Sequence, residues 1–282
     1  MATIESRPAI NVGDMVYAWT TEDKIAKKAE CGGAVTGLLK YALSNKMVDA
    51  VLAIKKGQDI YDAVPTIITN PEELADTAGS LHCGTVLLAK VAQKFQESSP
   101  GRKLAVTVKG CDLMALHEIA KRDGVDLSKL LLIGVNCGGT VSPVKARSMI
   151  QDVYQINPDI VHKEEIDKGQ FIIEYEGGHK GISIDELEEE GYGRRSNCRR
   201  CLYKVPRQAD LACGNWGVIG EKAGKATFVE VCSGKGAELL QKAVKSGVIA
   251  TAPADPKGIE IRKKVEGAMV KLGQKWRKKD FT

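Results

Sequence analysis

Hydrophobic positions along this chain switch repeatedly between strand-length runs and stretches at helical spacing. MVYAW (15–19) reads as a short extended piece. It leads into a helix with Thr20 or Thr21 as N-cap and Glu22 and Asp23 in its first turn. Val35, Leu38, Leu39, Ala42 and Leu43 recur at helical spacing. VDAVLAI (48–54) and TIITN (66–70) are buried-strand patterns; Pro71 ends the second, and a short helix follows from Glu72. VLLAKVAQKF is helical, and SSPGRK is a turn. LAVTVKG (104–110), CDLMALHEIAKRDG and LLLIGVNCGG (130–139) then form a strand–helix–strand unit, which requires parallel strands.

Beyond the helix SPVKARSMIQDVY, residues 159–185 change character. DIVHKEE, QFIIEYE and KGISI, joined through Gly177 and Gly178, form a small antiparallel meander. DELEEEGYG is an acidic helix end, ATFVEVC a strand and GAELLQKAVKSG a helix. Ile261, Val265, Met269 and Leu272 make the tail an amphipathic helix, either packed on the body or offered to a partner. The pattern predicts an α/β fold: a mixed, partly parallel sheet flanked by helices, with a small antiparallel β meander and a C-terminal helix. The core would cover 1–158 and 186–256, the small β insertion 159–185, and the basic C-terminal helix, a docking or connector element, 257–282.

Composition narrows the function. Aromatics make up 5% of the chain, which disfavours stacking platforms for single-stranded nucleic acid. A net charge of +5 over 282 residues is too mild and too spread to mark a nucleic-acid protein. No apolar run approaches the ~18 residues of a membrane span. The first residues show no basic-then-apolar signal pattern, which points to the cytoplasm.

Eight cysteines in a reducing compartment point to metal binding or catalysis rather than to disulfides. Cys198 and Cys201 form a CxxC pair among Arg194, Arg195, Arg199, Arg200, Lys204 and Arg207, and neighbouring positive charge favours the thiolate. Lys109, Cys111, Asn136 and Cys137 fall at the carboxyl ends of neighbouring strands, the edge where open α/β sheets bind ligands. Cys111, Cys137, Cys198 and Cys201 thus make a four-thiolate set suited either to a four-iron, four-sulfur cluster or to a structural zinc. Cys83 and Cys213 are the reserves, and Cys232 reads as a small buried hydrophobe. Two glycine-containing segments open helices, Gly32-Gly33 and the loop from Gly79 to Thr85 with Ser80, His82 and Cys83. Each suits a phosphate at a helix N-terminus, and each also suits a plain tight turn.

ECGGAVTGLLKYAL, TAGSLHCGT, KGCD, GVNCGG, GYGRRSNCRRC and ADLACGNWG, in this order, resemble the beta-subunit family of coenzyme F420-reducing enzymes over roughly residues 15–280. Within it they are most similar to the formate dehydrogenase branch. The resemblance implies an oxidoreductase that binds FAD and one [4Fe–4S] cluster and exchanges hydride with coenzyme F420. It implies Cys111, Cys137, Cys198 and Cys201 as cluster ligands. It implies flavin contacts from Gly32, Gly33, Thr36, Gly79, Ser80, His82, Cys83 and Thr85, and around them from Lys109, Asn136, Asp210, Gly214, Asn215 and Gly217. Small residues such as Gly32, Gly33 and Gly214 would leave the flavin face open. Lys145, Arg147, Arg194 and Arg195 are candidates for the anionic tail of F420, and Cys31 is a flavin-proximal variant rather than a ligand. No side-chain nucleophile is required. The implied partner is a molybdenum- or tungsten-containing formate dehydrogenase alpha subunit, with heterodisulfide reductase or a hydrogenase-type electron-transfer complex as further candidates. Formate dehydrogenase relatives continue into a ferredoxin-like region with further clusters. This sequence ends at Thr282 without those CxxCxxCxxxCP runs, as a short form or a portion of a longer polypeptide would.

Overall fold

A computed structural model describes residues 9–84 and 86–281. In chain order the elements are β1 (Met15–Thr20), α1 (Asp23–Ala26), α2 (Ala34–Ser44), β2 (Ala50–Lys56), β3 (Ala63–Ile68) and α3 (Ala89–Ser98). Then come β4 (Leu104–Val108), α4 (Gly110–Ala120), β5 (Leu130–Val135), α5 (Pro143–Asp152), β6 (Val161–Asp167), β7 (Gln170–Tyr175) and β8 (Gly178–Ser183). The remainder are α6 (Ile184–Glu189), α7 (Ser196–Arg199), β9 (Leu211–Gly214), β10 (Thr227–Val231), α8 (Gly234–Lys245), β11 (Ile249–Pro253) and α9 (Pro256–Phe281).

Eight strands form one sheet in the order β11-β1-β10-β9-β5-β4-β2-β3. Its middle is parallel: β2 with β4, β4 with β5, β5 with β9. These strands are apolar in unbroken runs because helices cover both faces. α2 and α8 bury Leu38, Leu39, Leu239 and Leu240 on one face. α3 and α4 bury Ala92, Phe95, Leu113 and Leu116 on the other. β3 pairs only with β2, and Pro65, which has no N–H to donate, is tolerated on that edge.

β6, β7 and β8 form the separate antiparallel sheet the alternation predicts. Phe171 and Ile173 of β7 share an apolar cluster with Met149, Ile150 and Tyr154 from α5 and its end, with Ile60 and Tyr61, and with Cys83. The small sheet therefore packs on the loop that carries His82 and Cys83.

Two local expectations change. The first helix begins after Glu22, spans four residues and has no side-chain cap. The segment after Glu72 is a 3-10 helix, Pro71–Thr77, capped by Asn70. ADLACG, to which the sequence pattern assigned no element, supplies a central strand, β9. Four residues bounded by Asp and Gly carry too little pattern to announce a strand, and pairing with β5 and β10 decides it. α9 packs on the body. Arg262 is 1% exposed and pairs with the buried Glu230 of β10, while Arg207 bridges Glu230 and Glu266.

Candidate functional site

The parallel register sets the site. Leu104 lies opposite Leu130 and Val108 opposite Gly134, so β4 and β5 end side by side. Lys109 and Cys111 follow β4; Asn136 and Cys137 follow β5. The CxxC segment reaches this edge through three close approaches. The backbone N–H of Cys137 donates to the Lys204 carbonyl at 2.9 Å. A side chain at Gly110 would collide with the Tyr203 carbonyl. One at Gly139 would meet the Cys198 Cβ at 3.2 Å and the Arg194 side chain at 2.5 Å. α9 closes over the outside: a Cβ at Gly273 would lie 2.7 Å from the Cys201 carbonyl, Arg277 donates to the Arg200 carbonyl at 2.8 Å, and the Arg199 guanidinium stacks 5.1 Å from the Trp276 ring.

These contacts bring the four predicted cysteines into one neighbourhood. The thiols of Cys137 and Cys201 lie within electrostatic reach of Cys111, and that of Cys198 within reach of Cys137. Among the described residues, no group of three or more His, Cys, Asp or Glu side chains is arranged to hold a metal ion, so the thiols converge without forming a closed ligand set. Burial pushes the Cys111 thiol up to about 11, and the Asp112 carboxylate adds to this while Lys109 opposes it. Burial likewise raises Cys137, against the pull of the Gly139 N–H, Lys109 and Lys204. A metal centre held here would therefore have to displace protons from these two thiols. The donor chemistry fits a thiolate-ligated centre: four soft sulfurs on three backbone segments, flanked by two lysines. The reserves do not join them. Cys213 lies in the main core with its thiol pushed up to about 12 by burial, and Cys83 is buried beside Glu164. Burial also pushes the half-buried Cys232 up to about 11.

The two lysines are held differently. Lys109 donates to the Val86 carbonyl at 2.9 Å and pairs with the fully buried Asp112 at 2.8 Å. Burial lowers its pKa, but the Asp112 charge outweighs this and leaves it raised. Lys204 is 1% exposed and donates to two carbonyls, Cys198 at 3.2 Å and Gly138 at 3.4 Å. Burial lowers its pKa, against the charge of the neighbouring thiols.

The residues expected around a flavin are only partly drawn together. The space beside Gly32 is filled by the Lys225–Ala226 backbone, that beside Gly33 by Ile25, Thr20 and Ala29, and that beside Gly214 by the Asn136 amide. These glycines thus serve close packing within the chain. Gly33 is also the left-handed N-cap of α2 (φ 68°) and offers no side-chain cap. Thr36 is buried in the first turn of that helix. Asn136 donates its N–H to the Cys213 carbonyl, and its side-chain Oδ1 is buried without a hydrogen-bond partner. An open acceptor at this edge is compatible with a ring N–H. The Asp210 carboxylate is fully engaged, accepting from Leu132 N at 2.8 Å and Ser233 Oγ at 2.5 Å. Gly217 (φ 87°) packs against the Gly258 carbonyl of α9, beside the half-buried Asn215. Gly79 and Ser80 are exposed, and Thr85 lies outside the described residues.

Sequence reasoning missed a buried polar network on the 79–84 loop. Glu164 of β6 accepts from the backbone N–H of His82 at 2.9 Å and of Cys83 at 3.2 Å; its other oxygen is buried without a partner. His82 Nε2 sits 3.5 Å from Glu30 Oε1, an ion pair when the imidazole is protonated. Burial opposes both charges, yet each partner holds the other ionised: His82 is raised and Glu30 lowered. Burial raises Glu164. The contacts span 52 to 82 residues of sequence, beyond any local pattern.

Of the tail candidates, Lys145, Arg194 and Arg195 line one cavity of about 330 Å³ with Ser142 and Arg199. Arg147 instead pairs with Asp159 at 2.5 Å and stacks on Tyr61. Cys31 is held at Thr227, away from the four cysteines, with its thiol pushed up to about 12 by burial.

Comparison with known proteins places this architecture. Residues 15–93 match the family described as coenzyme F420 hydrogenase/dehydrogenase, beta subunit N-term, and residues 101–257 match the corresponding C terminus. The chain is 50% identical over 267 residues to F420-dependent formate dehydrogenase 1 subunit beta of Methanococcus maripaludis, covering 94% of this chain and 68% of the relative. It is 51% identical over 265 residues to the F420-dependent formate dehydrogenase subunit beta of Methanocaldococcus jannaschii, with the same coverages. A chain of the F420-reducing [NiFe] hydrogenase complex from Methanosarcina barkeri shares the fold, with a TM-score of 0.84 at 23% identity over 97% of this chain and 94% of that one. Both halves of the α/β body match the two parts of one family description, and the chain belongs to the coenzyme F420 hydrogenase/dehydrogenase beta-subunit family.

Proposed function

We propose that this chain is the flavoprotein subunit through which an F420-dependent formate dehydrogenase exchanges electrons with coenzyme F420 in the cytoplasm. The observation that carries the reading is the convergence of Cys111, Cys137, Cys198 and Cys201 at the carboxyl edge of the parallel sheet, in a chain half identical to two beta subunits of that name. FAD, when bound, can take up or give two electrons as hydride and pass single electrons onward, which suits it to stand between a deazaflavin and an iron–sulfur centre.

The chain's own residues bind and orient. Cys111, Cys137, Cys198 and Cys201 would ligate a [4Fe–4S] cluster. Asn136 would offer its open acceptor to the flavin, and the first turn of α2 and the 79–84 loop would flank it. The cavity of Lys145, Arg194, Arg195 and Arg199 fits the phosphate and carboxylates of the F420 tail. Arg194 is already oriented there by Glu188, with Nε 2.6 Å from Oε1. Formate oxidation belongs to a molybdenum- or tungsten-containing alpha subunit. The fold shared with a hydrogenase complex favours one alternative, the same module serving a hydrogenase.

Two measurements test the reading. Anaerobically purified chain should show flavin absorbance bands with a broad iron–sulfur shoulder, and a colourless zinc protein would end it. With the alpha subunit, formate should reduce F420. Reduction by hydrogen and not by formate would favour the alternative.

A further inference from the structure

Two cations are fully buried among the described residues, and they differ in one respect. Arg262 has a carboxylate, Glu230. Lys204 has none within 4.0 Å; its ammonium meets two carbonyls, those of Cys198 and Gly138. Burying an ionised ammonium without an anion is costly, and carbonyl dipoles offset only part of that cost. Of the other cations of the region, Lys109 pairs with Asp112, Arg194 with Glu188 and Arg207 with Glu230 and Glu266, while Arg199 stacks on Trp276 with its buried Nε lacking a hydrogen-bond partner.

The placement of Lys204 is specific. Its carbonyl holds the Cys137 N–H, and its side chain reaches back to the carbonyl of Cys198 and to that of Gly138, next to Cys137. The ammonium is thereby fixed among three of the four converging cysteines, Cys137, Cys198 and Cys201. A four-thiolate centre is the anion this geometry fits.

We propose that Lys204 is the built-in counter-charge of the four-thiolate centre and a positioning residue that raises its reduction potential. This rests on the reading of the four cysteines as a cluster site. One-electron reduction adds one negative charge to the centre and makes or breaks no bond. A fixed neighbouring cation in a water-poor site favours the more negative state. Lys109 contributes less, because Asp112 already offsets its charge.

The test is a redox titration of the anaerobically purified full chain, followed by electron paramagnetic resonance, for wild type, Lys204→Met and Lys204→Arg. Lys204→Met should hold about tenfold less reduced centre at a given potential, a fall in midpoint of ~59 mV for one electron. Lys204→Arg should stay within about twofold of wild type, since it keeps the charge. A Lys204→Met midpoint equal to wild type, or an equal shift in Lys204→Arg, overturns the proposal. If Lys204→Met does not hold its cluster, iron and sulfide are counted after reconstitution. Loss in Lys204→Met and Lys204→Gln but not in Lys204→Arg supports the charge requirement; equal loss in all three overturns it. Should wild type hold zinc, the cluster reading fails separately. The counter-charge is then tested by chelator-driven release: about tenfold faster from Lys204→Met than from Lys204→Arg supports it, and equal rates or a metal-free wild type overturn it.

Discussion

The loop at 79–84 and the segment at 194–204 both leave the sheet to lie near the ends of its parallel strands, and different chemistry holds each in place. Titratable pairs anchor the loop: Glu164 on two backbone N–H groups, and His82 against Glu30. Close backbone packing at Gly110 and Gly139 anchors the CxxC segment, beneath a helix fixed by Arg262 and Glu230. The first anchorage changes with proton concentration in the range where carboxylates and imidazole titrate. The second depends on shape and on guanidinium charge, which persists at any pH a protein survives. The thiolate side is thus built to stay fixed while the loop side can respond.

The largest break in this contrast should come from Glu230→Ala. It strands Arg262 as an unpaired buried charge and should cost about 3–5 kcal/mol, read from chemical denaturation, with α9 loosened over the CxxC segment. Gly110→Ala should cost less, about 1–3 kcal/mol, because its methyl group drives against the Tyr203 backbone, which cannot swing aside. On the cluster reading of the four cysteines, its signature is reduced iron per chain with the 79–84 loop unaffected, as limited proteolysis would show.

On the loop side, Glu164→Gln keeps the size and replaces a charged acceptor with a neutral one. Its cost should be greatest at low pH, about 1 kcal/mol, and should shrink as pH rises. The sign follows from the raised carboxyl: Glu164 contributes most when protonated, at low pH, and that contribution is lost as pH rises through its folded value. The variant should therefore flatten the fall of melting temperature across that window. An unchanged slope would show that Glu164 does not set it.

The smallest effect, below about 1 kcal/mol, is expected for His82→Gln. The raised imidazole gives stability that is complete below pH ~6.5, its ordinary value, and lost as pH rises through its folded value. Glu30 works in the opposite sense: its lowered carboxyl gives stability present above its ordinary value and lost as pH falls through the folded one. The variant should lose the His82 limb near neutrality, and melting curves across pH 5–8 would detect this.

What was readable from sequence follows the range of the interactions. The unit β4–α4–β5 showed itself because long apolar runs bracket a helical one, and parallel pairing then placed Cys111 and Cys137 together. The CxxC pair is legible from spacing alone. β9 was not, because its four residues become a strand only between β5 and β10. Lys204 looked like one cation among six in its segment. Nothing local distinguishes a lysine that is buried without a carboxylate from one that waves in water. Gly32, Gly33 and Gly214 show a related point: a glycine pattern reports that something comes close, and on the Cβ side of each it is the chain itself.

The covering of the CxxC segment by α9 has a consequence for assembly. All four converging cysteines precede Pro256 in the chain. During synthesis they leave the ribosome before the helix that packs over Cys201, and domains fold as their residues emerge. A metal bound by these thiols would meet the CxxC segment open first and covered by α9 afterwards, so that order of synthesis alone would act as the gate.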